Sequence, residues 1–278
     1  MTITDSRAES SIHWDVGKDA SYGGYLALDQ LLSAQRPRST VHDEMLFIII
    51  HQTSELWIKL LLHELGAMTE GIRIDALAAP LKIFARIGRI QMQLIQSWDV
   101  LSTLTPRDYV QLRPHLGPSS GFQSYQYRQL EFILGNKDAR LIEVHRRVPA
   151  HFDVLKATLE APSLYEETLR LLARRGLAVP AEILERDWAT PYKAHPGVEA
   201  VWMQIYNDVE KYWDLYDLAE KLVDLEDRFQ QWRFRHVTTV ERIIGMKGGT
   251  GGSSGVPYLA SALKLRFFPE LYSLRTTL

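Results

Sequence analysis

Few residues of this chain combine a chemically useful side chain with a spacing that would aim it. Phe47 and His51 stand four apart in "FIIIH", so on a helix they share one face. Tyr109 and Arg113 stand four apart in "YVQLR", with the same consequence. His236 closes "WRFRH", with Phe229, Trp232, Val240 and Ile243 on roughly its own side. An imidazole can ligate a metal, take up a proton or orient a donor near neutral pH. A guanidinium can grip a carboxylate through two parallel hydrogen bonds. Each residue also has a plain structural reading. A histidine among apolar neighbours is commonly a hydrogen-bonded core residue, and a Tyr–Arg pair four apart commonly packs at a surface. Spacing alone leaves both readings open.

Other constellations are excluded by pattern. There is no cysteine, so disulfides, Cys-ligated zinc, iron–sulfur clusters and thiolate-ligated haem are ruled out. No H-E-x-x-H occurs, because "HEL" at His63 is followed by Gly66 and Ala67. A di-iron bundle needs Glu-x-x-His motifs, and neither Glu44 nor Glu55 has a histidine three residues on. The run "GMKGGTGGSSGVPY" gathers six of the 17 glycines between Gly245 and Gly255. It fits neither G-x-x-x-x-G-K-[ST] nor G-x-G-x-x-G, and both of those need a preceding strand. A slack linker or a loop that closes on a ligand remains.

The elements that must position these residues are helical. Apolar positions recur at helical spacing from Asp43 to Met68 and from Leu81 to Leu104, with Pro80 suited to a first turn. "TPRDYVQLRP" predicts a short helix with Thr105 as N-cap, Pro106 at N1, Asp108 at N3 and Pro114 as its stop. "PSSGFQSYQYRQLEFILG" predicts a serine-capped helix ending at Gly135, and "SLYEETLRLLARRG" one capped by Ser163 and Glu166 and stopped by Gly176. Residues 198–244 contain neither glycine nor proline. One unbroken helix of that length would span ~70 Å, against roughly 50 Å for a compact domain of this size. Either the run breaks without Gly or Pro, or the molecule is elongated and packs against other subunits. No period-2 strand pattern, repeat or composition shift is found. The expectation is a single all-α domain over 1–278, a helical bundle with long helices that assembles as an oligomer.

Composition adds little beyond exclusion. Hydrophobic residues make up 46% and charged residues 24%, an ordinary globular balance. A net charge of −2 gives no reason to expect nucleic acid or an anionic membrane as partner. The longest apolar run, "MLFIII", is far short of a bilayer span, and the first residues lack a signal-type apolar region. The expected location is cytoplasmic.

The strings "SYGGYLALDQLLSAQ", "HDEMLFIIIHQTSELWIKLLLHEL", "LTPRDYVQLRPHLGPSSGFQSYQYRQLEFILGNK", "APSLYEE", "LVDLEDRFQQWRFRHVTTVERIIGMKGGTGGSSGV" and "RFFPELYSLRT" together resemble the bacterial tryptophan 2,3-dioxygenases. They run from about residue 22 to 275. The resemblance implies a haem-dependent enzyme that opens the indole C2–C3 bond of L-tryptophan with O2, giving N-formyl-L-kynurenine. It implies His236 as axial ligand of a non-covalent haem b, active as Fe(II). It implies His51 on the distal side near the indole N–H, Phe47 against the indole ring, and Ile48, Ile49 and Ile50 beside them. Arg113 would hold the substrate carboxylate, Tyr109 would line the pocket, and Thr250 would contact the amino-acid end. The family is homotetrameric, with Tyr22, Tyr25 and Leu26 completing a neighbour's pocket. Residues 1–20 would form a flexible or exchanged arm, and 246–256 a mobile active-site loop. Arg128, Arg233, Arg235 and Arg242 are open candidates for the haem propionates. Two rival readings are a haem-binding O2 sensor or carrier and a helical scaffold without cofactor.

Overall fold

The computed structural model describes residues 21–278; the expected N-terminal arm, 1–20, lies outside the described residues. Thirteen α-helices and no strand occur among them. In chain order they are α1 (Tyr22–Tyr25), α2 (Leu28–Leu32), α3 (Glu44–Arg73), α4 (Ala78–Leu101), α5 (Pro106–Leu116), α6 (Tyr125–Leu134) and α7 (Pro149–Glu160). Then follow α8 (Leu164–Arg174), α9 (Ala181–Leu184), α10 (Pro196–Asn207), α11 (Trp213–Ile244), α12 (Val256–Ala262) and α13 (Pro269–Ser273). The protein is all-α.

Three long helices form the frame. α4 packs along α3 on one side and α11 on the other. Their shared core includes Leu61, Leu65, Ile87, Leu94, Leu222 and Phe229, all buried. The α3–α4 turn is tight because Gly71 has no side chain: a Cβ there would lie 2.5 Å from the Pro80 ring. α8, α10 and α13 close the far end of the core.

Local signals place most boundaries. Ser163 and Glu166 form the expected reciprocal capping box on α8. Its other end is a Schellman turn: the Leu177 N–H reaches the Leu172 carbonyl, the Gly176 N–H reaches that of Ala173, and Gly176 has φ +83°. α6 ends at Gly135, again with positive φ. Thr105 caps α5 through the Asp108 N–H.

Two expectations change. Pro114 does not stop α5, which runs on to Leu116 and ends at Gly117. The proline sits in the last turn, and the residue whose carbonyl it cannot bond, Val110, is exposed to solvent. The Gly- and Pro-free run breaks into α10 and α11 across 208–212. Asn207 and Asp208 are poor helix formers that compete for backbone bonds, and Asp208 leaves the helical region at φ −136°, ψ 61°. The break lets both helices turn apolar faces, Trp202 and Ile205 from one and Leu215 and Leu218 from the other, into one core. Contact between Tyr206 and Tyr216, 5.1 Å between ring centres, stitches the two together. α11 alone is then about 48 Å long.

α3 has an 18-residue window of mean hydropathy 1.4, long and apolar enough by composition to cross a membrane, yet little of it is buried. Met45, Ile49, Leu56 and Leu60 lie exposed along it, and Leu31 and Leu32 are exposed on α2.

Candidate functional site

One cavity of about 260 Å³ gathers half of the predicted residues. Its walls come from the first half of α3, the end of α4, α5, the start of α6, the second half of α11, the glycine run and α12. Phe47, Ile50 and His51 line it, as do Tyr109, His236 and Thr250. Ile48 and Ile49 do not, since one and two residues past Phe47 turn roughly 100° and 200° around a helix of 3.6 residues per turn; Ile49 is exposed. Tyr22, Tyr25 and Leu26 are also exposed and lie outside this chain's own cavity.

His236 sits where two indoles hold it. Trp98 of α4 stacks on its ring at 4.5 Å with 13° between planes, and Trp232, one turn back, lies at 5.6 Å. Burial, and then the nearby His51, push its pKa down to about 4. The imidazole is therefore neutral at physiological pH and keeps a lone pair for a Lewis acid. Among the described residues, no three His, Asp or Glu side chains cluster as a metal site. A metal bound here must bring its remaining ligands with it, as a porphyrin does.

His51 is held differently. Its Nδ1 lies 2.7 Å from the Phe47 carbonyl oxygen, which can only accept. Nδ1 thus carries the hydrogen, and Nε2 is left as an acceptor. Burial lowers the His51 pKa against the opposing pull of that bond and of Glu55, so the neutral ring prevails. The Phe47 ring packs against it, 4.2 Å between centres.

Arg113 and the glycine run meet at the rim. Arg113 Nη2 donates to the Gly248 carbonyl at 2.7 Å, while Nη1 is buried without a partner. The Thr250 hydroxyl donates to the Ser119 carbonyl. Inside the run the Gly249 N–H bonds the Ser253 carbonyl at 3.0 Å. At Gly255, φ is +73° and a Cβ would come within 2.5 Å of the Lys247 carbonyl oxygen, so only glycine closes the loop this way. The run is thus folded against the α5 side of the cavity.

Sequence reasoning named Arg128 and Arg233 only among open propionate candidates and missed Tyr127 and Glu131. Arg128 and Glu131 line the cavity and are bonded at 2.5 Å, and Arg233 approaches the same carboxylate at 3.3 Å. Tyr127 donates to Glu131 at 3.2 Å. Two guanidinium groups thus share one carboxylate, and Arg128 Nε, Arg233 Nε and Arg233 Nη1 are buried with no partner. Such a wall suits a further anion. Of the four arginines left open by sequence, only Arg128 lines the cavity; Arg235 pairs instead with Asp99 at the surface. The i,i+3 and i,i+4 spacing of "YRQLE" was the available signal. Trp98 had none, since its contact with His236 spans 138 residues.

The fold and this cavity define a class: an all-α protein with an imidazole-bearing apolar pocket, a cationic inner wall and an arginine at its rim. The profile of the tryptophan 2,3-dioxygenase family matches residues 7–161 and 158–278. The chain is 57% identical to tryptophan 2,3-dioxygenase 1 of Ralstonia nicotianae over 95% of its length and 90% of that protein's. It is 58% identical to the tryptophan 2,3-dioxygenase of Burkholderia orbicola over 95% and 85% of the two chains. For that of Cupriavidus necator the identity is 55%, over 95% and 90%. This chain belongs to the tryptophan 2,3-dioxygenase family.

Proposed function

We propose that this protein is a haem-dependent dioxygenase that opens the indole C2–C3 bond of L-tryptophan with both atoms of O2, yielding N-formyl-L-kynurenine. The observation that carries the reading is the pairing, in one apolar cavity, of a neutral His236 with a His51 whose Nε2 is free to accept. His236 would hold the haem iron, with its ring plane set by Trp98. The unpartnered donor of Arg128 suits a haem propionate. Ferrous haem b, when bound, supplies the activation of O2.

The chain's own residues supply position and dryness. His51 Nε2 accepts the indole N–H, an orientation fixed by the Nδ1 bond to Phe47. Phe47 and Ile50 wall the indole. Arg113 takes the substrate carboxylate through the nitrogen that now lacks a partner, and Thr250 meets the amino-acid end by exchanging its bond to Ser119. The 246–256 loop opens to admit substrate and closes to exclude water. The apolar stripe of α3 and the exposed Tyr22, Tyr25 and Leu26 support assembly as a homotetramer in which those three residues finish a neighbour's pocket. The setting is cytoplasmic.

The test is the spectrum of the purified, haem-supplemented, reduced protein, first alone and then with L-tryptophan and O2. A Soret band followed by formylkynurenine absorbance is expected. Bound haem without product would favour an O2 sensor or carrier, a reading that leaves Arg113 and Thr250 without a role. No Soret band would end both. Sedimentation of the same sample checks the tetramer.

A further inference from the structure

A second void lies behind the main cavity. It is about 10 Å³, between α3, α4, α6 and α11, and its open lining is wholly apolar. It shares Ile58, Tyr127 and Trp232 with the main cavity. On its other side it shares Gln91 and Arg228 with a groove of about 440 Å³ along α4 and α11. The middle void thus shares wall residues with each of the other two spaces.

The chemistry of the middle void selects its guest. A space of this size holds one water-sized molecule, but a water needs two or more polar partners. The only amide there, Gln91, donates Nε2 to the Leu225 carbonyl at 3.0 Å, and its Oε1 is sealed from the void. An apolar diatomic gas fits without any such demand. At the outer end, the Arg228 guanidinium lies over the bare backbone of Gly88, where a Cβ would meet it at 3.3 Å. It pairs with the Asp224 carboxylate at 3.6 Å and donates to the Asp224 carbonyl at 3.2 Å, and the side chain is one-third exposed. Arg228 thus forms part of the wall of both the middle void and the outer groove. Meanwhile the main mouth is crossed by the loop that Arg113 and Thr250 hold.

We infer that the middle void is a docking site for dioxygen, on a route that enters the α4–α11 groove beside Arg228 and reaches the main cavity past Ile58, Tyr127 and Trp232. The assignment of O2 as the guest rests on the dioxygenase reading; the site itself rests on geometry. It gives O2 an entry separate from the mouth that tryptophan fills.

Two measurements test it. Crystals of the whole protein pressurised with xenon should show the gas in the middle void. Rebinding of carbon monoxide and O2 after flash photolysis of the reduced, haem-loaded, tryptophan-bound protein should slow several-fold in Leu94→Phe, which fills the void, and quicken in Arg228→Ala, which uncovers its outer end. Tryptophan affinity should be unchanged in both. No xenon in the void would overturn the site. Xenon there with both variants rebinding at the wild-type rate would make it a closed void and overturn the route. Should Leu94→Phe not fold, the xenon result and Arg228→Ala decide alone. A protein that takes up no haem would sink the dioxygenase reading while xenon still judged the void.

Discussion

Two buried carboxylates in this molecule live in opposite circumstances. Glu270, at the α8–α10–α13 end, accepts the Tyr165 hydroxyl at 2.9 Å, the Tyr192 hydroxyl at 2.6 Å and the His195 N–H at 2.7 Å. Trp202 in turn donates to Tyr165, so none of these donors is stranded. Glu131, on the cavity wall, faces two arginines that retain three unpaired buried nitrogens. Arg113 and Trp98, also at the cavity, have an unpaired nitrogen each. A buried polar group without a partner costs about 1–3 kcal/mol. Around Glu270 the fold satisfies its own polar groups. Around Glu131 and the cavity rim it leaves several donors free, among them the Arg128, Arg113 and Trp98 nitrogens.

This contrast can be broken from either side. The largest effect should follow Glu270→Leu. Three donors lose their acceptor, and stability should fall by about 3 kcal/mol or more; urea unfolding measures it, and a cost under about 1 kcal/mol would show the network to be incidental. Arg113→Ala should leave stability nearly unchanged and lower kcat/KM for tryptophan roughly a hundred-fold by removing the carboxylate partner. Steady-state kinetics check this, and an unchanged value would place the anchor elsewhere. Arg128→Met should loosen haem about ten-fold, seen in haem transfer to an acceptor globin, while urea stability holds or rises slightly, because one of two crowded cations is gone.

The smallest effect concerns His145, a buried ring whose Nε2 has no partner. Burial first, then the charges of His151 and Arg128, hold its pKa below the ordinary 6.5. The unfolded chain therefore binds more protons in the window just below pH 6.5, and stability declines as pH falls through it. His145→Phe should flatten that decline and leave stability at pH 8 within about 1 kcal/mol. Unfolding curves from pH 5 to 8 would show it; an unaltered slope would assign the acid sensitivity to other groups.

Much of the frame was legible because its causes are local. The α8 capping box, the Gly135 and Gly176 stops and the apolar period of α3 and α4 depend on residues within a turn or two of each other. Pro114 misled because a proline in the last turn forfeits only the bond to Val110, which is exposed to solvent. The break at 208–212 was legible only as one of two alternatives, since it follows from how two apolar faces share a core.

The same division runs through the site. By itself the sequence determined that the chain is helical, that no thiolate can bind a metal, that Phe47 shares a face with His51 and Tyr109 with Arg113, and, through its motifs, the family. These follow from residue type and helical period. Only the tertiary structure decided that Trp98 stacks on His236, that Arg128 rather than Arg235 or Arg242 faces the cavity, and that Arg113 is engaged by the glycine run. It also decided that Ile48 and Ile49 turn away from the cavity that Ile50 lines. Those outcomes depend on contacts between residues as much as 138 positions apart, and such contacts exist only once the helices have packed.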